Sequence, residues 1–409
     1  EEAVEILQAC PEQSPMPSYY EGYLHGLAGD EAAARACCLR AEHLPAPRCY
    51  PNRVEEIAIL EYAIRLLGRA PRAHALLGCL LYDKKQADAA IAHWEASVQQ
   101  DPGQALVHRN LAIARYNKQG DADAALREME QARRLDPGYP RLLLEYDQLA
   151  ARLGRSNAAR LQLLEENLAL VEQRDDLMLR YVTLLNCEGR CEEALQILLT
   201  RRFHPWEGGE GKVSAQYRYA LIRLAKDCLN RGENDRAVQL LEQSKTYPDT
   251  LGEGKLPNVP DNEADYWQGV ALRAMGREPE AAAAFLRAAS GPQEPGRVLY
   301  YNDQPSDFIY YQGLAQRAMG NEAAARKAFH KLLTYGETHL FDAVAYDFFA
   351  VSLPEIEVFA DDIALRNRQY CNYLRALGCA GLGRTSEAAE LFAGILELQP
   401  DDQGALRHA

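Results

Sequence analysis

Small and large apolar residues recur along this chain in paired helical stretches, and the pattern is cleanest at 71–104, PRAHALLGCLLYDKKQADAAIAHWEASVQQDPGQ. The spacing predicts a helix, a tight turn and a second helix, with Leu77 and Gly78 in the first and Ala90 and Trp94 in the second. Gly78 and Ala90 stand where the two helices are expected to cross, because small side chains let backbones approach closely. Trp94 is the large group expected to fill the space between one hairpin and the next. Pro102 cannot continue a helix interior but suits a first turn, so it separates one pair from its successor.

A single pair would fit any antiparallel bundle, so recurrence decides the fold. Residues 19–41 place Gly22, Gly29, Ala34, Cys38 and Ala41 where Gly78, Lys85, Ala90, Trp94 and Ser97 stand in the clear copy. A further amphipathic helix, RVEEIAILEYAIRLLG, fills 53–68. The unit from about 105 carries Leu111, Ala112, Ala125, Met129, Ala132 and Pro137, with one residue added in its turn. Later units show Ala159 and Leu163, Ala194 and Leu198, and Ala237 and Leu241. YWQGVALRAMGREPEAAAAF at 266–285 and YYQGLAQRAMGNEAAARKAF at 310–329 are near-duplicates 44 residues apart. The last copy holds Gly383, Ala388, Phe392, Ile395 and Pro400. This order of Leu, Gly, Ala, large apolar and Pro resembles the tetratricopeptide repeat (TPR), a hairpin of about 34 residues that stacks on copies of itself. The expected fold is all-α, a right-handed α-solenoid of about nine TPR-like hairpins forming a single superhelical domain over 1–409.

Spacing divides that array. Units starting near 71, 105, 140 and 175 lie 34 or 35 residues apart, whereas those near 175, 218, 262 and 306 lie 43 or 44 apart. Shorter-spaced repeats thus occupy 1–174, and repeats with inserted loops occupy 175–409. The insertions are RRFHPWEGGEGK at 201–212, TYPDTLGEGKLPNVPDN at 246–262, SGPQEPGRVLYYNDQPSD at 290–307 and a longer one from about 334 to 368. Each follows the second helix of a unit, so all are expected along one edge of the solenoid. Loops of this length are functional or disordered. Their aromatic content beside carboxylates is unlike a disordered segment.

Composition narrows the partners. A formal charge of −14 and no cluster of Lys and Arg argue against nucleic acid. No apolar run approaches the eighteen residues of a membrane span. Glu1 opens inside what reads as a helix, EEAVEILQAC, so the chain is taken as a piece of a longer protein. Most of the ten cysteines, Cys37, Cys38, Cys79, Cys228 and Cys379 among them, fall in helical patterns as small hydrophobes, which points to a reducing, cytoplasmic setting. Cys187 and Cys191 are the one pair at short helical spacing and no His lies beside them, so no metal site is expected.

Candidate chemistry gathers in the loops. GGEGK at 208–212 and GEGK at 252–255 lack the first glycine, the Ser or Thr after Lys, and a preceding strand, so neither reads as a phosphate loop and no cofactor is expected. Glu207 and Glu210 near His204 fit turn chemistry better than acid/base work. Trp206, Tyr300 and Tyr301, with Glu207, Glu210 and Asp303, suit recognition of a sugar or a protein face, unless the aromatics fold back over helix ends. First helices should line a concave groove, with Arg109, Tyr116, Asn117, Arg141, Gln148, Tyr219, Lys226, Tyr266 and Tyr310 as candidates facing it. A Lys three residues before an Asn on successive first helices, the basic clamp of some TPR proteins, is absent.

RNLAIARYNKQGD at 109–121, FHPWEGGEGKVSAQY at 203–217, YYNDQP at 300–305 and AVSLPEIEVFADD at 350–362 together resemble the C-terminal repeat part of certain bacterial proteins. Their N-terminal part is a domain of unknown function similar to galactose-mutarotase-like β-sandwiches. The resemblance implies a carbohydrate-related domain upstream and carries over no catalytic residue. The expected function is a non-catalytic scaffold that docks a protein domain or peptide, or a carbohydrate, through the loop edge and the groove. Two alternatives stand beside it: loop 203–212 completing a carbohydrate-active site, and a free peptide-binding module.

Overall fold

The computed structural model describes residues 2–9, 14–46, 49–206, 208–299, 303–345 and 358–409. Among these the chain is helical throughout and forms two compact units, 1–146 and 147–409. The change in repeat spacing after residue 174 falls inside the second unit.

The first unit begins with α1 (Glu2–Gln8), then pairs α2 (Pro15–Leu27) with α3 (Glu31–His43). After a lone α4 (Glu55–Leu67) come the pairs α5 (Pro71–Asp83) with α6 (Ala87–Gln100) and α7 (Ala105–Ala114) with α8 (Ala122–Leu135). α9 (Pro140–Arg152) carries the chain from the first unit into the second. α10 (Asn157–Glu165) follows, then the short α11 (Leu168–Val171). Four loop-bearing pairs come next: α12 (Asp175–Cys187) with α13 (Cys191–Thr200), α14 (Lys212–Asn230) with α15 (Asn234–Gln243), α16 (Asn262–Ala274) with α17 (Glu278–Ala288), and α18 (Phe308–Ala318) with α19 (Glu322–His339). α20 (Ile363–Gly381) pairs with α21 (Thr385–Leu398), and a single short helix, α22 (Gln403–His408), follows.

Local sequence explains the boundaries. Asp30, Asp121 and Asp362 each accept a hydrogen bond from the backbone N–H three residues on, closing a first helical turn. Pro71 and Pro140 open their helices. The residue added to the repeat at 105 is not in the turn, as the pattern suggested, but inside the helix, where Arg115–Gln119 form a π turn. The inserts are also shorter as loops than their spacing implied. α14 and α20 run 19 residues and α19 runs 18, against 13 for α5, so part of the first and fourth insertions extends a helix, whereas α16 and α18, after the second and third, run only 13 and 11.

Within a hairpin the glycine meets the plug rather than the alanine. A Cβ built on Gly78 would lie 2.5 Å from the Trp94 ring, one on Gly269 2.6 Å from Phe285, and one on Gly313 2.4 Å from Phe329. Gly22 faces Cys38 in the same way, at 2.6 Å from its sulfur. Trp94 also reaches the following hairpin, packing with Val107 and Leu111, and its Nε1–H donates to the Ala75 carbonyl at 3.2 Å. The large residue therefore closes its own hairpin and joins it to the next.

Candidate functional site

Repeat geometry concentrates unusual chemistry on the first helices of the second unit's hairpins. Tyr219, Glu263 and Asp307 are 44 residues apart in turn and occupy equivalent places in α14, α16 and just ahead of α18. All three meet Arg407 of α22. The guanidinium lies 2.6 Å from Glu263 Oε2 and 3.8 Å from Asp307 Oδ2, and 5.3 Å from the centre of the Tyr219 ring. Four residues further along, Trp267 sits under the Lys226 ammonium, which donates to the Arg407 carbonyl at 3.3 Å. Tyr311 OH donates to Glu263 at 2.7 Å and lies 2.8 Å from His408 Nε2.

The other end of the same short segment is held as closely. Asn157 Nδ2 donates to the Pro400 carbonyl at 2.7 Å. Arg160 and Arg180 bind Asp401 at 2.9 and 3.3 Å while both also bind the fully buried Asp147. Gln216 and Gln403 exchange amide hydrogen bonds, and Asn186 Nδ2 donates to Gln216 Oε1 at 3.0 Å. Asp402 caps α22 through the Ala405 N–H, and Ala405 is the segment's one fully enclosed apolar side chain. Residues 400–408 are thus held by charged and amide groups together with apolar packing, since Ala405 joins the core cluster of Leu374, Leu377 and Phe392, and the His408 ring packs against Tyr310, Tyr311, Tyr373 and Phe392.

Enclosure shapes the charges. Burial alone would raise Glu263, but Arg407, with His408 and the Tyr311 hydrogen bond, holds its carboxyl below the ordinary range. Asp307 is raised, because burial, with repulsion from Glu263, outweighs the pull of Arg407. Burial, with Arg407 beside it, pushes His408 down to about 4. Asp147 is also resisted by burial, yet Arg180 and Arg160 keep it ionised.

The first unit's inner face differs. Arg109 makes two 2.6 Å hydrogen bonds to Glu145, and Arg141 a third at 2.8 Å. Tyr116 and Asn117 stand in the π turn at the end of this same helix. In the second unit, Tyr266 and Tyr310 are half-buried beside the hairpin plugs Phe285 and Phe329, and Tyr310 also meets His408 edge-on at 5.6 Å. Sequence reasoning offered Tyr219 and Lys226 as groove candidates and Asp307 as a carboxylate of the loops, and missed Glu263 and the common partner Arg407. The 44-residue recurrence of an acid at the start of a first helix was the available signal.

Along the loops, Phe203 N–H donates to the Thr250 carbonyl at 2.8 Å, and Glu253 accepts from Gly211 and Ser214, so the first two insertions order each other. The second and third line a cleft of about 390 Å3 between Pro257–Asn262 and Ser290–Pro292. Arg297 of the third pairs with Asp342 of the fourth at 2.6 Å. His204 is exposed and tied to Asp175 at 2.9 Å; Trp206 lies half-buried on Gly209. Glu210 has a buried Oε2 without a hydrogen-bond partner among the described residues, and Asp303 accepts from the Leu299 N–H at 2.9 Å. Glu207, Tyr300 and Tyr301 lie outside the described residues.

Among the described residues one group of possible metal ligands is brought together, Glu21, His25 and Cys37, with ligand atoms within 4.8 Å of one another. Arg40 already binds Glu21 there, a cation standing against the carboxylate a metal would need. No described helix is long and apolar enough to cross a membrane. Nine of the cysteines are described, and they are free thiols.

Helical hairpins stacked in this way define a TPR-like helical-repeat fold. The tetratricopeptide repeat family model matches residues 307–335. Among solved structures, the chain is similar to YrrB, a TPR protein with an unusual peptide-binding site, at 14% identity and a TM-score of 0.34, over 55% of this chain and 96% of that one. A tetratricopeptide repeat protein from Parabacteroides merdae matches at 16% identity and a TM-score of 0.31, over 75% and 100%. PilW, a type IV pilus biogenesis factor, matches at 16% and 0.28, over 53% and 91%.

Proposed function

We propose that this chain is a non-catalytic scaffold that docks a peptide segment of a partner protein or neighbouring domain on the inner face of its repeats. One observation carries this reading: the inner face of the second unit already holds residues 400–408 through side chains at equivalent repeat positions, so its chemistry suits a short peptide. The loop edge is the second docking surface of the same scaffold, where exposed His204 and half-buried Trp206 would meet a neighbouring, carbohydrate-related domain. A cytoplasmic setting belongs to the same proposal and is supported by thiols at buried helical positions such as Cys38 and Cys371.

A displayed library of random peptides, selected against the whole chain, tests the reading. Selected peptides should bind saturably, and Arg109→Ala or Glu263→Gln should weaken them according to which inner face they use. Selection that never rises above background on either face overturns it.

A further inference from the structure

We infer that Glu21, His25 and Cys37 form a zinc site joining α2 to α3, with Arg40 as the cation that the metal displaces. The inference goes beyond peptide docking and concerns the first unit alone.

Glu21 and His25 stand one turn apart on α2, and residues four apart on a helix present their side chains to the same side. Cys37 comes from α3, so the three groups converge from both helices of the hairpin. Their ligand atoms lie within 4.8 Å of one another. A tetrahedral zinc about 2.3 Å from sulfur and about 2.0 Å from nitrogen and oxygen sets its ligand atoms about 3.3–3.6 Å apart. Small side-chain rotations close that difference. Sulfur and imidazole select zinc over calcium or magnesium, which take oxygen ligands. Glu21 and Cys37 are each only 5% exposed, whereas His25 is half-buried, so the metal would sit within the hairpin with one side reachable from solvent. Three protein ligands leave a fourth position for water.

The surroundings already orient the carboxylate. Gln8 Nε2 donates to Glu21 Oε1 at 2.7 Å, an outer contact of the kind that fixes a ligating carboxylate. Arg40 pairs with the same carboxylate, and its Nε–H donates to Ser18 Oγ at 3.1 Å. A buried carboxylate needs a countercharge, and Arg40 supplies it from the surface, since its own side chain is 51% exposed. Such a guanidinium leaves at little cost, because water takes over its hydrogen bonds. A divalent ion held also by sulfur and nitrogen then provides the countercharge at closer range. Arg40 thus keeps Glu21 neutralised in the metal-free chain and yields to the metal. With ligands on both helices, zinc would staple the α2–α3 hairpin, its binding free energy adding to the stability of the fold.

The test uses the whole chain, reduced and stripped of metal with a chelator, and cobalt(II) as a spectroscopic probe. A single equivalent of cobalt should give the thiolate-to-cobalt charge-transfer absorption and the intense visible bands of a four-coordinate ion, and zinc should displace it. Cys37→Ser should remove the charge-transfer absorption, and His25→Ala should weaken binding by about tenfold or more. Arg40→Gln should tighten binding by about threefold, because the competing cation is gone. Hydrogen exchange supplies a readout that needs no variant: zinc should slow the amides of α2 and α3 by about tenfold or more and leave those of α16 and α17 unchanged. The inference is overturned if the charge-transfer absorption is absent at one equivalent or survives in Cys37→Ser, or if His25→Ala binds like the parent. An affinity no higher in Arg40→Gln, or zinc that leaves α2 and α3 without added protection, overturns it equally.

Discussion

In the first unit, Arg109 closes on Glu145 of a neighbouring first helix, with Arg141 as a further partner. In the second, Glu263 and Asp307 stand on successive repeats and close on Arg407 of α22. Both faces neutralise buried carboxylates with arginine. The difference lies in where the arginine comes from. When it comes from the repeats, the face is complete in itself. In the second unit it comes from α22, 144 residues beyond Glu263, so the face closes only when distant parts of the chain meet. Hairpin construction does not separate the units, since both set a glycine against a large apolar plug.

The largest effects should fall where the units are alike. Trp94→Ala and Phe329→Ala each remove a plug seated on a glycine, and each should cost about 3–5 kcal/mol within its own unit. Hydrogen exchange resolved by unit, along a denaturant series, reads both, and a neutral result for either would break the equivalence of the hairpins.

The inner faces should then diverge. Arg160→Ala strips one of two arginines from Asp147, which is fully buried, and also loosens Asp401, so a cost of about 3–5 kcal/mol is expected. Arg109→Ala leaves Glu145 with Arg141, which water reaches, and about 1–3 kcal/mol is expected. Equal losses in denaturant midpoints would remove the contrast drawn between the faces.

Acid should act on the second face through His408. Burial and Arg407 push it down to about 4, whereas an unfolded histidine titrates near about 6.5. The unfolded chain therefore binds more protons between these values. The stabilising contribution is complete above about pH 6.5 and drains away as pH falls toward 4. Glu263, Lys226, Arg407 and the hydroxyls of Tyr311 and Tyr373 face the ring. Asp307, raised by burial, works in the opposite direction, gaining a proton in the folded state as pH falls. Replacing His408 by Gln should flatten the pH dependence of the second unit by at most about 3 kcal/mol between pH 7 and 4. An NMR titration placing His408 near 6.5 would contradict this.

The smallest effect tests the first unit alone. Lys85 holds a φ of 64° at the hairpin turn where the other repeats place glycine, such as Gly29 and Gly276. Lys85→Gly should stabilise by about 0.5–1 kcal/mol, because the left-handed conformation strains a residue with a Cβ. An unchanged or lowered melting midpoint would show that the side chain compensates.

The helical pairs, their number and the glycine and alanine positions were legible because each hairpin is a local structure, set by residues within about 34 positions of one another. The same periodicity marked Tyr219 and Lys226 as groove residues. Their partner could not be read in this way. Arg407 lies 144 residues from Glu263 in sequence, and nothing local to either residue indicates that they meet. Placing α22 took the stacking of successive hairpins within the second unit. That stacking brings Asn157, Gln216, Glu263 and Tyr373 around residues 400–408. The added residue at 115–119 and the inserts after α13, α15, α17 and α19 make the same point on a smaller scale. Spacing showed that residues had been added, but only packing decided whether they became a π turn, a longer helix or a loop.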